Sequence, residues 1–202
     1  MTNSEFPAVN ELTRLQMETV ERWHREPIAN PYEGIQALVC TQHEFNYRLW
    51  HEEDKARSRS ATDQEIADVK RAIDKLNQAR NDTIEKIDDA LTEILCQRGI
   101  NAPEAPVNTE TTGSAIDRLS IMSLRLYHYQ EQVDREDADD EHREKVADRI
   151  ALCRQQHEDL SKSLQQLIDD IFAERKQHRT YRQMKMYNDP SLNPAIYQSE
   201  QS

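Results

Sequence analysis

Apolar residues recur along this chain at helical spacing in five blocks, and the breaks between blocks carry recognisable start and stop residues. Leu12, Leu15, Val20 and Trp23 define the inner face of a first predicted helix over about 10–25. Pro27 ends it, since proline lacks the N–H that the helical ladder needs. Asn30-Pro31 followed by Glu33 reads as the start of a second helix over 31–58, with a capping Asn, proline at the first position and an acid in the first turn. Its apolar line is Leu38, Phe45, Leu49 and Ala56. Thr62 and Glu65 have the spacing of a capping box and open a third helix over 63–97. The inner positions of that helix run from Ile66, Val69 and Ile73 to Leu91 and Ile94. At 1.5 Å per residue it is roughly 50 Å long, and Gly99 supplies the left-handed residue expected past its end.

The stretch 99–113 is the one real linker. Ser114 with Asp117 is read as the cap of a fourth helix over 114–135, whose inner positions Ile116, Leu119, Ser123, Leu126, Gln130 and Val133 step by three and four. A fifth helix over 138–185 carries Val146, Ile150, Cys153, Leu160, Leu164, Leu167 and Ile171. Acids from Asp137 to Asp140 sit at its start, and Arg175, Lys176, Arg179, Arg182 and Lys185 at its end, as the helix dipole prefers. Residues 187–202 leave the pattern. Two turns, Asn188-Asp189-Pro190 and Asn193-Pro194, space Leu192, Ile196 and Tyr197, which predicts a strap docked on the bundle. The expected fold is all-α: a single domain over 1–202, an elongated antiparallel bundle of about five helices with an extended C-terminal strap.

Composition narrows this picture. Only 36% of the 202 residues are apolar and 32% are charged, so the core must be thin, and three glycines and seven prolines leave little turn material for a sheet. No stretch approaches the roughly eighteen apolar residues of a membrane span. The opening MTNSEFPAVNEL lacks a basic-then-apolar leader, so a cytoplasmic location is expected. A net charge of −12 argues against a nucleic-acid partner, which would need a basic face to replace counterions. Cys40, Cys96 and Cys153 are odd in number and far apart, and read as buried thiols rather than metal ligands or a disulfide framework.

Candidate chemistry lies beside the apolar lines of the second, third and fourth helices. The run from His43 to Arg57 flanks its apolar residues with Asn46, Trp50, His51 and Asp54, and the next helix adds Lys70, Asp74, Asn77, Asn81 and Asp88 at spacings of three, four or seven. Stepping down an antiparallel hairpin closed near Ser60 sets His43 and Asn46 level with Asp74 and Asn77. A second hairpin, closing near Ala138, sets Asp117 level with Gln156. If both close at one end, His43, Asn46, Asp74, Asn77, Asn81, Asp117, Arg125 and Gln156 share a polar layer. Buried polar groups are costly without partners, so such a layer is either a self-satisfied network that sets helix register or a ligand site.

For a ligand site, cations beside Asp, Asn and His suit a small anionic or sugar-phosphate ligand held by charge-assisted bonds. The candidate binding residues are His43, Asn46, Trp50, Asp54, Arg57, Lys70, Asp74, Asn77, Asn81, Asp117, Arg125 and His128. Trp50 and Tyr47 either stack on a ring or seal the core. Glu21 and His24 match one Glu-x-x-His pair of the di-metal bundles, but no second copy exists and no metal ligand is assigned. Nucleophile elbows and phosphate-cradling glycine loops are missing, so no catalytic residue or cofactor is assigned. Two rival readings stand beside the ligand site: a non-catalytic scaffold with a second copy of the chain as partner and, more weakly, a metal-dependent hydrolase.

Four segments, HEFNYRLWHEEDKAR, VKRAIDKLNQARNDTIEKID, TTGSAIDRLSIMSLRLYHY and YRQMKMYNDPSLNPAIY, together resemble the bacterial domain-of-unknown-function family numbered 4254, over about residues 30–197. The resemblance implies an all-helical protein with no assigned activity and a genomic association with glycosyltransferase and cell-envelope sugar genes. Matching positions include His43, Trp50, His51, Asp74, Asp117 and His128. The turn before the fourth helix reads Thr111-Thr112-Gly113 where the family pattern has Thr-Pro-Gly.

Overall fold

The computed structural model describes residues 6–184 and 191–194 and contains five helices: α1 (Val9–Trp23), α2 (Gly34–Ala56), α3 (Asp63–Gln97), α4 (Thr112–Asp134) and α5 (Asp140–Phe172). α2 and α3 pack as one long hairpin, α4 and α5 as a second, and α4 touches each of the other four helices. Successive contacts show that α2 and α4 run in the same direction: Asn46 meets Ser120, and further along both helices Trp50 meets His128. Gln16 and His24 of α1 follow the same order against Ile116 and Tyr127. Both hairpin turns therefore lie at the same end of the bundle.

The apolar core occupies the opposite end. Leu12 and Leu15 of α1, Val39 and Cys40 of α2, Ile87 and Leu91 of α3, Ile116 and Leu119 of α4, and Leu164 and Ile168 of α5 form one cluster. α1, α3, α4 and α5 each contribute residues three or four apart, the spacing that puts them on one face, and α2 contributes the adjacent Val39 and Cys40. Towards the hairpin turns this coverage thins. Ile73 is the sole buried residue in the first half of α3, and Ile66, expected on the inner face, is 41% exposed.

Helix starts follow local chemistry with two corrections. The capping box of Thr62 and Glu65 is present, with the Thr62 hydroxyl accepting from the Glu65 N–H. Asp139 caps α5 by accepting from the His142 N–H at 2.7 Å, and Asp140 and Glu141 follow in the first turn. α4 is capped by Thr111, whose hydroxyl accepts from the Ser114 N–H, so Ser114 is the donor and not the cap. α2 begins at Gly34, with φ +57, and not at Pro31. Asn30 instead uses its Nδ2 to donate to the Ala37 carbonyl and the Thr41 hydroxyl, bracing the first turns from the side.

The larger correction concerns the fifth helix, expected to reach residue 185. It ends at Phe172, and Glu174 takes a left-handed conformation with φ 57. Competing partners explain the stop. The Gln177 N–H donates to the Pro106 carbonyl, His178 meets the Asp88 carbonyl, and Arg182 pairs with both Glu85 and Asp89 of α3. Arg182 thus answers acids on a neighbouring helix, while Arg175 pairs with Asp170 of α5 itself. An extended strap exists, but it starts at residue 173; of the strap expected over 187–197, most residues lie outside those described. Cys40 and Cys153 are buried, but Cys96 is exposed, against expectation. No helix among the described residues is long and apolar enough to cross a membrane.

Candidate functional site

Immediately above the apolar core, α2 and α4 exchange directional bonds. Gln42, His43 and Asn46 fall on the face of α2 that meets Asp117 and Ser120 of α4, and Gln42 and His43 are fully buried. The Asn46 Nδ2 donates to Asp117 Oδ1 and Ser120 Oγ, both at 2.9 Å, and the Gln42 amide donates to the same carboxylate oxygen. His43 Nδ1 lies 2.7 Å from Ser120 Oγ. Because that hydroxyl accepts from Asn46, its own proton is free to reach His43 Nδ1. Burial pushes the His43 imidazole down to about 3, against a smaller opposing pull from the Gln16 backbone. The Asp117 carboxyl is pushed up by burial and pulled back by Arg80 and Asn46.

Arg80 of α3 completes this arrangement loosely. Its Nε lies 3.9 Å from Asp117 Oδ1 and its Nη1 3.5 Å from Asn46 Oδ1, and the buried Nε has no hydrogen-bond partner. Asn77 and Arg80 line two grooves. One, of about 470 Å³ between α3 and α4, is also bordered by Asp74, Asn81, Ser114 and Arg118. The other, of about 440 Å³ between α2, α3 and α4, is bordered by Trp50, Asp54 and Arg57.

The expected site residues therefore divide. His43, Asn46 and Asp117 come together in the buried network, and Asn77 and Asn81 stand beside it in the groove walls. Lys70 and Asp74 are exposed on α3 and pair with each other. Arg57 is exposed at the end of α2 and pairs with Glu53. Trp50 stacks on His128, with centroids 4.4 Å apart and planes at 9°. Arg125 is exposed and lines a third groove with His128, outside the polar layer, and Gln156 is exposed on α5. Asp88, which shared the polar spacing of α3, does different work: buried, it accepts from the Gly113 N–H at 2.7 Å and ties the start of α4 to α3. Gly113 is required there, since a Cβ would stand 2.6 Å from the Ile84 carbonyl.

Arg80 and Gln42 were not among the expected residues. Arg80 follows Asn77 by three and so shares its face, which is a usable signal; Gln42 shows no pattern that separates it from solvated polar residues. Nor was a group of three imidazoles at the end of α1. His24, His51 and His128 each offer one ring nitrogen within 4.8 Å of the others, the described residues' candidate for holding a metal ion. Burial lowers the pKa of both His51 and His128.

Fold and site together define a class: a five-helix bundle with a buried polar network, open polar grooves and no assigned reaction. The chain belongs to the family described as protein of unknown function DUF4254, whose model matches residues 36–180. That span holds the network, Arg80, His51 and His128, and leaves α1 with His24 outside. No curated protein and no solved structure matches the chain.

Proposed function

We propose that this protein binds a small anionic or sugar-phosphate ligand in the grooves around Arg80, as an accessory to glycan or cell-envelope synthesis. The observation that carries the reading is the half-used guanidinium of Arg80, held at 3.9 Å from its carboxylate partner and facing both grooves. A phosphate would give it the charge-assisted bonds that Asp117 supplies only weakly. The same grooves carry acceptors and amides, in Asp74, Asn77 and Asn81, that suit sugar hydroxyls, and Trp50 offers a ring face. The link to glycan synthesis is the one implied by the family resemblance.

The scaffold reading has less support. It calls for an apolar stripe on α1 or α5, whereas Met17 and Leu152 are the sole large apolar residues well exposed on those helices among the described residues. Thermal unfolding with inorganic phosphate and with glucose 1-phosphate tests the proposal. A rise in midpoint that grows with ligand concentration is expected, larger for the sugar phosphate and lost in Arg80→Gln. No shift with either compound, or an unchanged shift in Arg80→Gln, would dismiss it.

A further inference from the structure

Three imidazoles from three different helices converge where α1 ends. His24 is the C-terminal cap of α1, His51 lies on α2 and His128 on α4, and their ring centroids are 5.1–5.7 Å apart. The ring planes are held from behind: His24 stacks on Tyr127 at 4.1 Å and His128 on Trp50. Two tautomers follow from their partners. His24 Nδ1 lies 2.7 Å from the Val20 carbonyl, and His128 Nδ1 lies 2.7 Å from a Glu131 carboxylate oxygen. Both partners can only accept, so each Nδ1 carries the proton and each Nε2 keeps its lone pair. The Nε2 atoms of His24, His51 and His128 are all buried and without a hydrogen-bond partner.

Packing accounts for the stacked rings but not for three buried, partnerless imidazole nitrogens meeting with two of them fixed as lone pairs, a costly arrangement. It is, however, what a metal ion asks of histidine: one nitrogen turned to the ion, the other donating to a carbonyl or carboxylate that fixes the ring. We infer that His24, His51 and His128 form a three-histidine site for a divalent transition ion of the zinc class. Zinc bonds of about 2.0–2.1 Å would draw the nitrogens to roughly 3.4 Å from one another, an inward turn of each ring. Three protein ligands leave a fourth position, which faces a groove of about 510 Å³ bordered by Asp54 and Arg125. An ion there offers Lewis-acid chemistry to an anionic oxygen, or a bound water of lowered pKa. That groove shares Trp50 and Asp54 with one of the Arg80 grooves, but none of the three imidazoles lines either of those, so either inference can fail without the other.

Titration of chelator-treated, untagged protein with Co²⁺, then with Zn²⁺ as competitor, tests the site. One equivalent of Co²⁺ is expected to produce the intense visible bands of a four-coordinate site, and Zn²⁺ to remove them. His51→Gln and His128→Gln should each abolish the bands. Glu131 is 45% exposed, so Glu131→Gln keeps the fold and should weaken Co²⁺ by about 10–100-fold through the orientation of His128. His157→Gln, at another partnerless imidazole, on α5, should change nothing. Bands missing at one equivalent in the wild type, or undiminished affinity in His51→Gln or Glu131→Gln with native circular dichroism, overturn the inference.

Discussion

Two regions of this bundle, the apolar core and the polar network beside it, are held together by different physics. In the core, side chains such as Leu12, Ile87, Leu91, Ile116 and Leu164 exclude water, and their contribution scales with buried area in any direction. In the network beside them, Asn46, Asp117, Ser120 and His43 meet through bonds that need particular atoms at particular angles. Around the network, Arg80, Asn77 and Asp74 keep water or a ligand within reach, and polar grooves remain between the helices. Stability and recognition are thus divided along one set of helices.

That contrast can be broken most severely at the apolar end. Leu91→Ala, at a fully buried position of α3, should cost about 2–5 kcal/mol in urea unfolding and leave the Arg80 grooves intact. A cost under about 1 kcal/mol would mean that the core end is not the seat of stability. Asp117→Ala strips the acceptor shared by Gln42 and Asn46 and should cost less, about 1–3 kcal/mol. A neutral result in the same assay would show that water replaces the carboxylate, and the network would lose its structural role.

Acid sharpens the contrast further. His43 titrates near 6.5 when unfolded and near 3 when folded. Between those values the unfolded chain binds the extra proton, so stability is full above 6.5 and declines as pH falls, by at most about 1.4 kcal/mol per pH unit. Asp117 and Asp88, pushed up by burial, act in the opposite sense: their ionised forms cost stability as pH rises. The His43 part is therefore read as the difference between wild-type and His43→Gln stability curves, which should widen as the pH rises from about 4 to 7. Parallel curves would remove His43 from the account. The smallest effect belongs to Lys70 and Asp74, an exposed pair on α3 whose double-mutant coupling should not exceed about 0.5 kcal/mol. A larger coupling would extend the network to the hairpin surface.

Much of this was readable from residue order. Thr62 with Glu65, the apolar spacings of α3 and α4, and the acids opening α5 are local features, and local features act wherever the chain goes. The level of His43, Asn46 and Asp117 followed from counting residues out of two turns. Asp74, set level with them by the same count, lines the neighbouring groove without joining the network, because the count yields height but not azimuth. Asp74 is exposed at the groove wall and pairs with Lys70, four residues earlier on α3. The end of α5 was misjudged because periodicity cannot show that Glu85 and Asp89 wait on another helix for Arg182.

From its sequence alone this chain was bound to be helical, with five amphipathic segments, their caps and a polar shoulder on the second and third, since each depends on neighbours within about four residues. Tertiary structure alone decided which polar groups meet. Gln42 with Asp117 lies across 75 positions, and His24 reaches His128 only because α1 and α4 run side by side. Contacts between helices depend on rotation about each axis, which the whole core sets and no single segment records.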